Sequence, residues 1–368
     1  MLKHFEVVNF RGFESRLVFD LSARDYAFNK GIVKDSIVNK ALIYGKNGTG
    51  KSNLGFALFD IIFHLTDKEK LNPAYAVYYR NLNGIGKPVE FRYEFSFDND
   101  EVIYEYSKVD QNELIEESLI INGKRVIFFN YFHRDNNFID SNIRGELNID
   151  LIDNKLSIIK YIYRNTPSDR CVPLTKMMRF CDNMLWYRSL SEGNHYAGYT
   201  NGAGLLTGKI YETGKTQAFE KFLRENGIDY KLGFEIENGE KVLYVYFPEG
   251  SKAPFASIAS TGTKALLLFY YWSIEAFQNI SLLFIDEFDA FFHYESAEDL
   301  VTKLNNNRGF QTILTTHNTY LMKNSLTRPD CCFILNDGKI KSLFNCTDRE
   351  IREAHNLEKM YINGAFAE

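Results

Sequence analysis

No apolar run in this 368-residue chain reaches the roughly 18 residues that a membrane span needs, and the polar opening Met1-Leu2-Lys3-His4 has no secretory leader's apolar stretch. A cytosolic, non-membrane protein is expected. Cysteine is sparse: Cys171, Cys181, Cys331, Cys332 and Cys346 form no C-x-x-C pair, and their odd number argues against a disulfide framework, so a reducing compartment fits. The net charge of −5 gives no global pull toward nucleic acid. Between Asp153 and Glu225 eleven Lys or Arg face seven Asp or Glu, an excess that a solvated helical face explains. The chain also lacks internal repeats and low-complexity tracts, and its middle stretch, 141–228, has no heptad run long enough for a coiled-coil rod. What is present, 45% hydrophobic and 25% charged residues, is ordinary for a globular protein of about two domains.

Against that plain background, Gly45-Lys46-Asn47-Gly48-Thr49-Gly50-Lys51-Ser52 is a complete G-x-x-x-x-G-K-S phosphate-binding loop. It follows a short apolar run, Lys40 to Tyr44, that reads as a buried strand, and precedes Asn53 to Ile62, whose apolar residues fall at helical spacing. Glycines let consecutive N–H groups point at an anion, and the helix adds the positive end of its dipole. Lys51 would reach the β- and γ-phosphates, and the Ser52 hydroxyl would ligate Mg²⁺.

Three further elements lie downstream. Ser281 to Glu287 is an apolar strand ending in two carboxylates, which suits Asp286 to the magnesium side and Glu287 to the general base that orients water. Thr312 to His317 repeats the pattern, delivering His317 at the next strand end, where it can donate to the γ-phosphate. Ala259-Ser260-Thr261-Gly262-Thr263-Lys264 precedes the apolar helix Ala265 to Trp272; by itself it reads as an N-cap, and ahead of the Asp-Glu strand as a second anion cradle.

The chain divides into an N-terminal half at 1–140, a helical lid or insertion at 141–228 and a C-terminal half at 229–368. Val89, Phe91, Tyr93, Phe95 and Phe97 share one parity, and turns at Asp98-Asn99-Asp100 and Asn122-Gly123 mark an antiparallel meander with strands near 4–10 and 16–20. Within 141–228, residues 151–160 and 216–223 read as amphipathic helices and 193–208 as a loop. Leu243 to Phe247 returns to strand, and residues 348–361 read as a closing helix.

Loop, Ser-x-Gly, Asp-Glu and histidine in this order resemble the ATPase heads of the ABC/SMC/RecF superfamily, and Phe5 to Phe13 resembles the first strand and aromatic-Arg turn of RecF and SMC heads. Asp286 to His293, Thr315-Thr316-His317-Asn318 and His355 to Tyr361 are similar to the AAA_15, AbiLi and RloA-like ATP-binding proteins of bacterial phage-defence operons. The resemblance implies an α/β fold: an ABC-type P-loop ATPase head with an antiparallel β layer, a parallel nucleotide-binding sheet and an inserted, mainly helical lid. It implies a slow ATPase using ATP and Mg²⁺ and closing head to tail as a homodimer or higher oligomer. Gly45 to Ser52, Asp286, Glu287 and His317 would act in cis, and Ser260 and Gly262 on the partner's γ-phosphate, with Asp289 at the seam. Ala-Ser-Thr-Gly-Thr departs from the family's Leu-Ser-Gly-Gly-Gln, and no Q-loop glutamine is evident. Only 51 residues follow His317, too few for an appended TOPRIM nuclease. The biology implied is a sensor or scaffold in anti-phage defence with a separately encoded effector, a TOPRIM-like or HNH nuclease. A RecF-like ATPase that clamps nucleic acid is the alternative, and a transporter's nucleotide subunit is disfavoured by the RecF-like opening.

Overall fold

A computed structural model describes residues 1–68, 78–150, 152–189, 195–200 and 206–366. Two seven-stranded sheets enclose the phosphate-loop helix, Lys51–Leu65. The first sheet is antiparallel, in the order Phe138–Ile139, Lys124–Asn130, Leu114–Ile121, Asp100–Lys108, Val89–Phe97, Leu2–Val8 and Leu17–Asp20. Its inward parity is the one the alternation predicts: Val89, Phe91, Tyr93 and Phe95 are buried. Positive φ at Asn122 and Gly123 closes one of its hairpins.

The second sheet carries five parallel strands, in the order Met184–Arg188, Leu282–Asp286, Gln311–Thr316, Lys40–Tyr44 and Cys332–Asn336, flanked by antiparallel Tyr196–Gly198 and Lys339–Ser342. Both faces are covered, which is why these strands read as unbroken apolar runs. Ala41, Ile43, Trp186, Phe284 and Ile313 join the core shared with the phosphate-loop helix and the antiparallel sheet. Leu42, Tyr44, Tyr187, Ile285 and Leu314 join a second core. Helices Thr216–Glu225, Thr261–Glu275 and Tyr294–Asn306 supply its other side. The fold is the α/β head expected, an antiparallel layer beside a parallel sheet.

Three expectations change. Residues 141–228 do not form a separate lid: Met184–Arg188 is a strand of the parallel sheet, in register with Leu282–Asp286, and helix Val172–Asp182 packs on the phosphate-loop helix. Met184 to Tyr187 are apolar on both faces, and without alternation they carry no strand signature of their own. The helix expected at 151–160 begins only at Ile158, because the Ser157 hydroxyl caps it by accepting from Lys160 N at 3.1 Å. The closing helix is short, Leu357–Ile362, capped by Asn356, whose Oδ1 accepts from Lys359 N. Part of the loop expected at 193–208, and Leu151, lie outside the described residues. Among the described residues no helix is long and apolar enough to cross a membrane, and the five cysteines are unpaired.

One close contact fixes how the loop helix sits. A Cβ added to Gly55 would lie 2.7 Å from Trp186 Nε1 and 2.9 Å from Phe284 Cε1, both on buried rings. Alanine gains about 1 kcal/mol of helix propensity over glycine, but forcing these rings apart costs about 1–3 kcal/mol. Gly55→Ala is therefore expected to lower stability by about 1 kcal/mol in urea unfolding; a stabilised variant would show that the helix can lift off the sheet freely.

Candidate functional site

The parallel strands end on one edge, and the candidate residues collect there. The loop strand Lys40–Tyr44 runs into Gly45 to Gly50, of which Lys46, Asn47 and Gly48 are exposed. Gly50 caps the helix at φ 100°, a region that disfavours any side chain, with the Phe13 ring packed close beneath it. The Lys51 side chain folds back, its Nζ donating to Gly45 O at 2.7 Å and Lys46 O at 3.1 Å. Burial holds its pKa below the ordinary lysine value, against the opposing pull of Glu287, Asp286 and Asp289. Exchanging two carbonyl oxygens for phosphate oxygens would strengthen its hydrogen bonds.

Next to the loop, Ser52 Oγ donates to Asp286 Oδ2 at 2.6 Å, and Thr315 Oγ1 donates to Asp286 Oδ1 at 2.8 Å. Asp286 is fully buried, and desolvation raises its pKa. A buried carboxylate beside a hydroxyl is a hard-oxygen pair, and Mg²⁺ accepts such a pair, taking its other ligands from phosphate and water. The donor set therefore fits the expected ion.

Glu287 follows at φ 49°, an uncommon backbone conformation for a glutamate. Its N–H donates to Thr315 Oγ1 at 2.7 Å. Thr315 thus ties the base candidate and the buried aspartate to the adjacent strand. The Glu287 side chain accepts from Arg188 Nη2 at 3.0 Å, and Arg188 Nε lies 3.6 Å from Asp286 Oδ2.

His317 is exposed immediately after the strand Gln311–Thr316. Its neighbour Thr316 donates to Asp289 Oδ2 at 2.7 Å and accepts from Asn318 N at 2.8 Å. Burial raises the Asp289 pKa, and the hydrogen bond from Thr316 opposes the shift. Lys51, Ser52, Asp286, Glu287, Asp289 and His317 thus belong to one edge. Ser260 and Gly262 stand apart. Ser260 caps its helix, accepting from Thr263 N at 3.1 Å, and among the described residues it has no hydrogen bond to the loop. Ser260, Thr261 and Lys264 are exposed, while a Cβ at Gly262 would meet Phe291 O at 2.8 Å.

Sequence reasoning missed Arg188, Thr315 and Thr316 as participants. The two threonines sat in plain view beside His317, and their alternation across the strand end was the available signal. Arg188 was hidden because its strand was assigned to the insertion. That strand ends in Arg188, and the next residue, Ser189, donates its N–H to Asp286 O at 3.1 Å.

The family described as "AAA domain, putative AbiEii toxin, Type IV TA system" matches residues 40–323, well over half of the chain and every motif from the loop to His317. Among solved structures the chain is similar to the SMC head domain from Thermotoga maritima, at 16% identity and a TM-score of 0.43, over 93% of this chain and 98% of that one. It is similar to an SMC head bound to the C-winged helix domain of ScpA, at 15% identity and 0.45, over 94% and 98%. RecF with ATP, of the RecFOR pathway, aligns at 15% identity and 0.38, over 93% and 99%. No curated protein matches the chain.

Proposed function

The chain belongs to this AbiEii-type AAA domain family, and from that premise we propose that it binds and slowly hydrolyses ATP to drive head-to-tail dimerisation. The observation that carries the proposal is the cluster in which Ser52, Asp286, Glu287 and Thr315 are joined by hydrogen bonds of 2.6 to 2.8 Å at the mouth of a complete phosphate loop. Phosphoryl transfer to water demands positioning and charge stabilisation more than covalent chemistry. Lys51 and the loop amides, Gly45 to Ser52, neutralise the triphosphate. Glu287 holds the attacking water in line, and His317 donates to the γ-phosphate. When bound, Mg²⁺ supplies charge neutralisation of the β- and γ-phosphates, with Ser52 and Asp286 as its protein ligands.

Ser260 and Gly262 complete the site from a second copy. Ser260 and Thr261 at their helix start are exposed and, among the described residues, Ser260 has no hydrogen bond to the loop of its own chain, a placement that suits an anion from elsewhere. In this reading ATP acts as a conformational link between two heads.

The wider role we propose is sensor or scaffold in cytoplasmic anti-phage defence, acting on a separately encoded effector such as a TOPRIM-like or HNH nuclease. The matched family is described by a toxin of a toxin-antitoxin system, a two-component arrangement in keeping with a separate partner. The competing reading is a RecF-like nucleic-acid clamp. ATPase assays with and without DNA separate them: little stimulation by naked DNA and a partner protein recovered in native pull-down support the effector model. Strong, salt-sensitive stimulation by DNA would overturn it in favour of the clamp.

A further inference from the structure

Arg188 occupies a position that the reading of the site so far leaves without a task. It ends the strand Met184–Arg188 directly opposite Asp286 in the parallel register. Its guanidinium contacts two neighbouring carboxylates: Nη2 donates to Glu287 Oε2 at 3.0 Å, while Nε stands 3.6 Å from Asp286 Oδ2, too long for a hydrogen bond. Nε is also buried and, among the described residues, has no hydrogen-bond partner, an arrangement that favours any acceptor able to reach it. The side chain as a whole is 39% exposed, so its head can still move. On the other side of the pair, Glu287 is fixed by its N–H bond to Thr315 and by its left-handed backbone.

A carboxylate oxygen that accepts from arginine has a lone pair engaged and is not free to accept from water. The planar guanidinium fork also matches the oxygens of a phosphate. A terminal phosphate arriving at the loop mouth offers more negative charge and more acceptor oxygens than Glu287. We propose that Arg188 is a further member of the catalytic set, its guanidinium pairing with Glu287 and placed to transfer that hydrogen bond to the γ-phosphate of a nucleoside triphosphate. The transfer frees Glu287 to accept from water and places a cation on the group whose charge must be stabilised. A diphosphate lacks that group and leaves the arginine on Glu287. The site thereby reads the number of phosphates with one side chain. This inference rests on the nucleotide-site reading above and adds the residue that distinguishes ATP from ADP.

The test compares wild type, Arg188→Ala, Arg188→Lys and Glu287→Gln by calorimetric titration with ADP and with the non-hydrolysable triphosphate AMP-PNP in Mg²⁺, and by steady-state turnover. Arg188→Ala should leave ADP affinity within about twofold and lower the preference for triphosphate by about tenfold, the loss of one charge-assisted contact. Turnover should fall by about 10³-fold, the lower end of what a γ-phosphate arginine supplies. Arg188→Lys keeps the charge without the fork and should recover part of both. Glu287→Gln removes the competing carboxylate and should raise triphosphate affinity, a gain that disappears when Arg188→Ala is added. Wild-type preference and turnover in Arg188→Ala would overturn the proposal and leave the ATPase reading intact. Equal loss of ADP and AMP-PNP binding would also overturn it, assigning Arg188 a structural role. If wild type binds both nucleotides and shows no turnover of ATP, the ATPase reading falls while the affinity ratio still decides Arg188. If wild type binds no AMP-PNP, both are overturned.

Discussion

Glu287→Gln is expected to cut ATP turnover by about 10²–10⁴-fold, the range a positioned general base contributes, while ATP binding persists and the closed dimer accumulates. Glutamine is nearly isosteric with glutamate, so the phosphate loop, the Ser52–Asp286 pair and the Thr315 bond to the backbone of residue 287 have no reason to move. What is lost is the carboxylate that accepts from the attacking water. With chemistry blocked and phosphate contacts intact, ATP remains between the two heads. Single-turnover hydrolysis and light scattering in Mg²⁺ and ATP check the two halves together: a slow monomer would show that closure is not ATP-linked, and unimpaired turnover would remove Glu287 from the mechanism.

The largest effect on stability is expected at a buried polar network behind the loop helix. Asp60, in the middle of that helix, accepts from Lys108 Nζ at 2.5 Å, from Tyr106 OH at 2.9 Å and from Tyr79 OH at 2.8 Å. Both charged side chains are 0% exposed. Burial, followed by the Asp60 charge, pushes the Tyr106 hydroxyl well above its ordinary range, keeping it a neutral donor. His64, one turn on, bonds Tyr104, and Tyr104 donates to Glu117, which also accepts from Ser157 at the cap of the helix Ile158–Asn165. The chain of contacts fastens the nucleotide helix to the antiparallel sheet. Removing one member of a buried ion pair costs about 3–5 kcal/mol, because the other charge keeps its desolvation penalty. Lys108→Ala should therefore lower unfolding free energy by about that amount, and adding Asp60→Leu should not restore it, because Tyr79 and Tyr106 then lose the acceptor of their buried hydroxyls. Chemical denaturation measures both, and a loss below about 1 kcal/mol for Lys108→Ala would show that the network relaxes around the change.

The contrast between this network and the phosphate loop explains how much of the molecule its sequence discloses. The loop, Asp286 and Glu287 are local: a few consecutive residues must carry the chemistry, so the pattern is written contiguously. The antiparallel meander is legible for a related reason, because one face of Val89–Phe97 is buried and the other partly exposed, leaving an alternation. Met184–Arg188 is buried on both faces and leaves none, so the strand and its Arg188 became visible only when the parallel register placed them beside Leu282–Asp286. Asp60 and Lys108 are likewise 48 residues apart and meet only through packing. The overextended helices at 151–160 and 348–361 have another origin: apolar spacing sets which face is buried, whereas Ser157 and Asn356 decide where each helix starts.

If each nucleotide site is shared by two copies of the chain, two variants that are inactive alone should complement each other when mixed. Lys51→Ala disables the loop and Ser260→Arg blocks the exposed helix start, so each homodimer lacks both sites. In a mixed dimer the Ser260→Arg chain retains an intact loop, which faces the intact Ser260 and Gly262 of the Lys51→Ala chain. One complete site forms. ATP hydrolysis, absent in either variant alone, is expected to return when the two are combined, approaching about one quarter of wild type for a random equimolar mixture of independent sites. Continued inactivity of a mixture shown to contain heterodimers, or full activity of Ser260→Arg alone, would contradict a shared site.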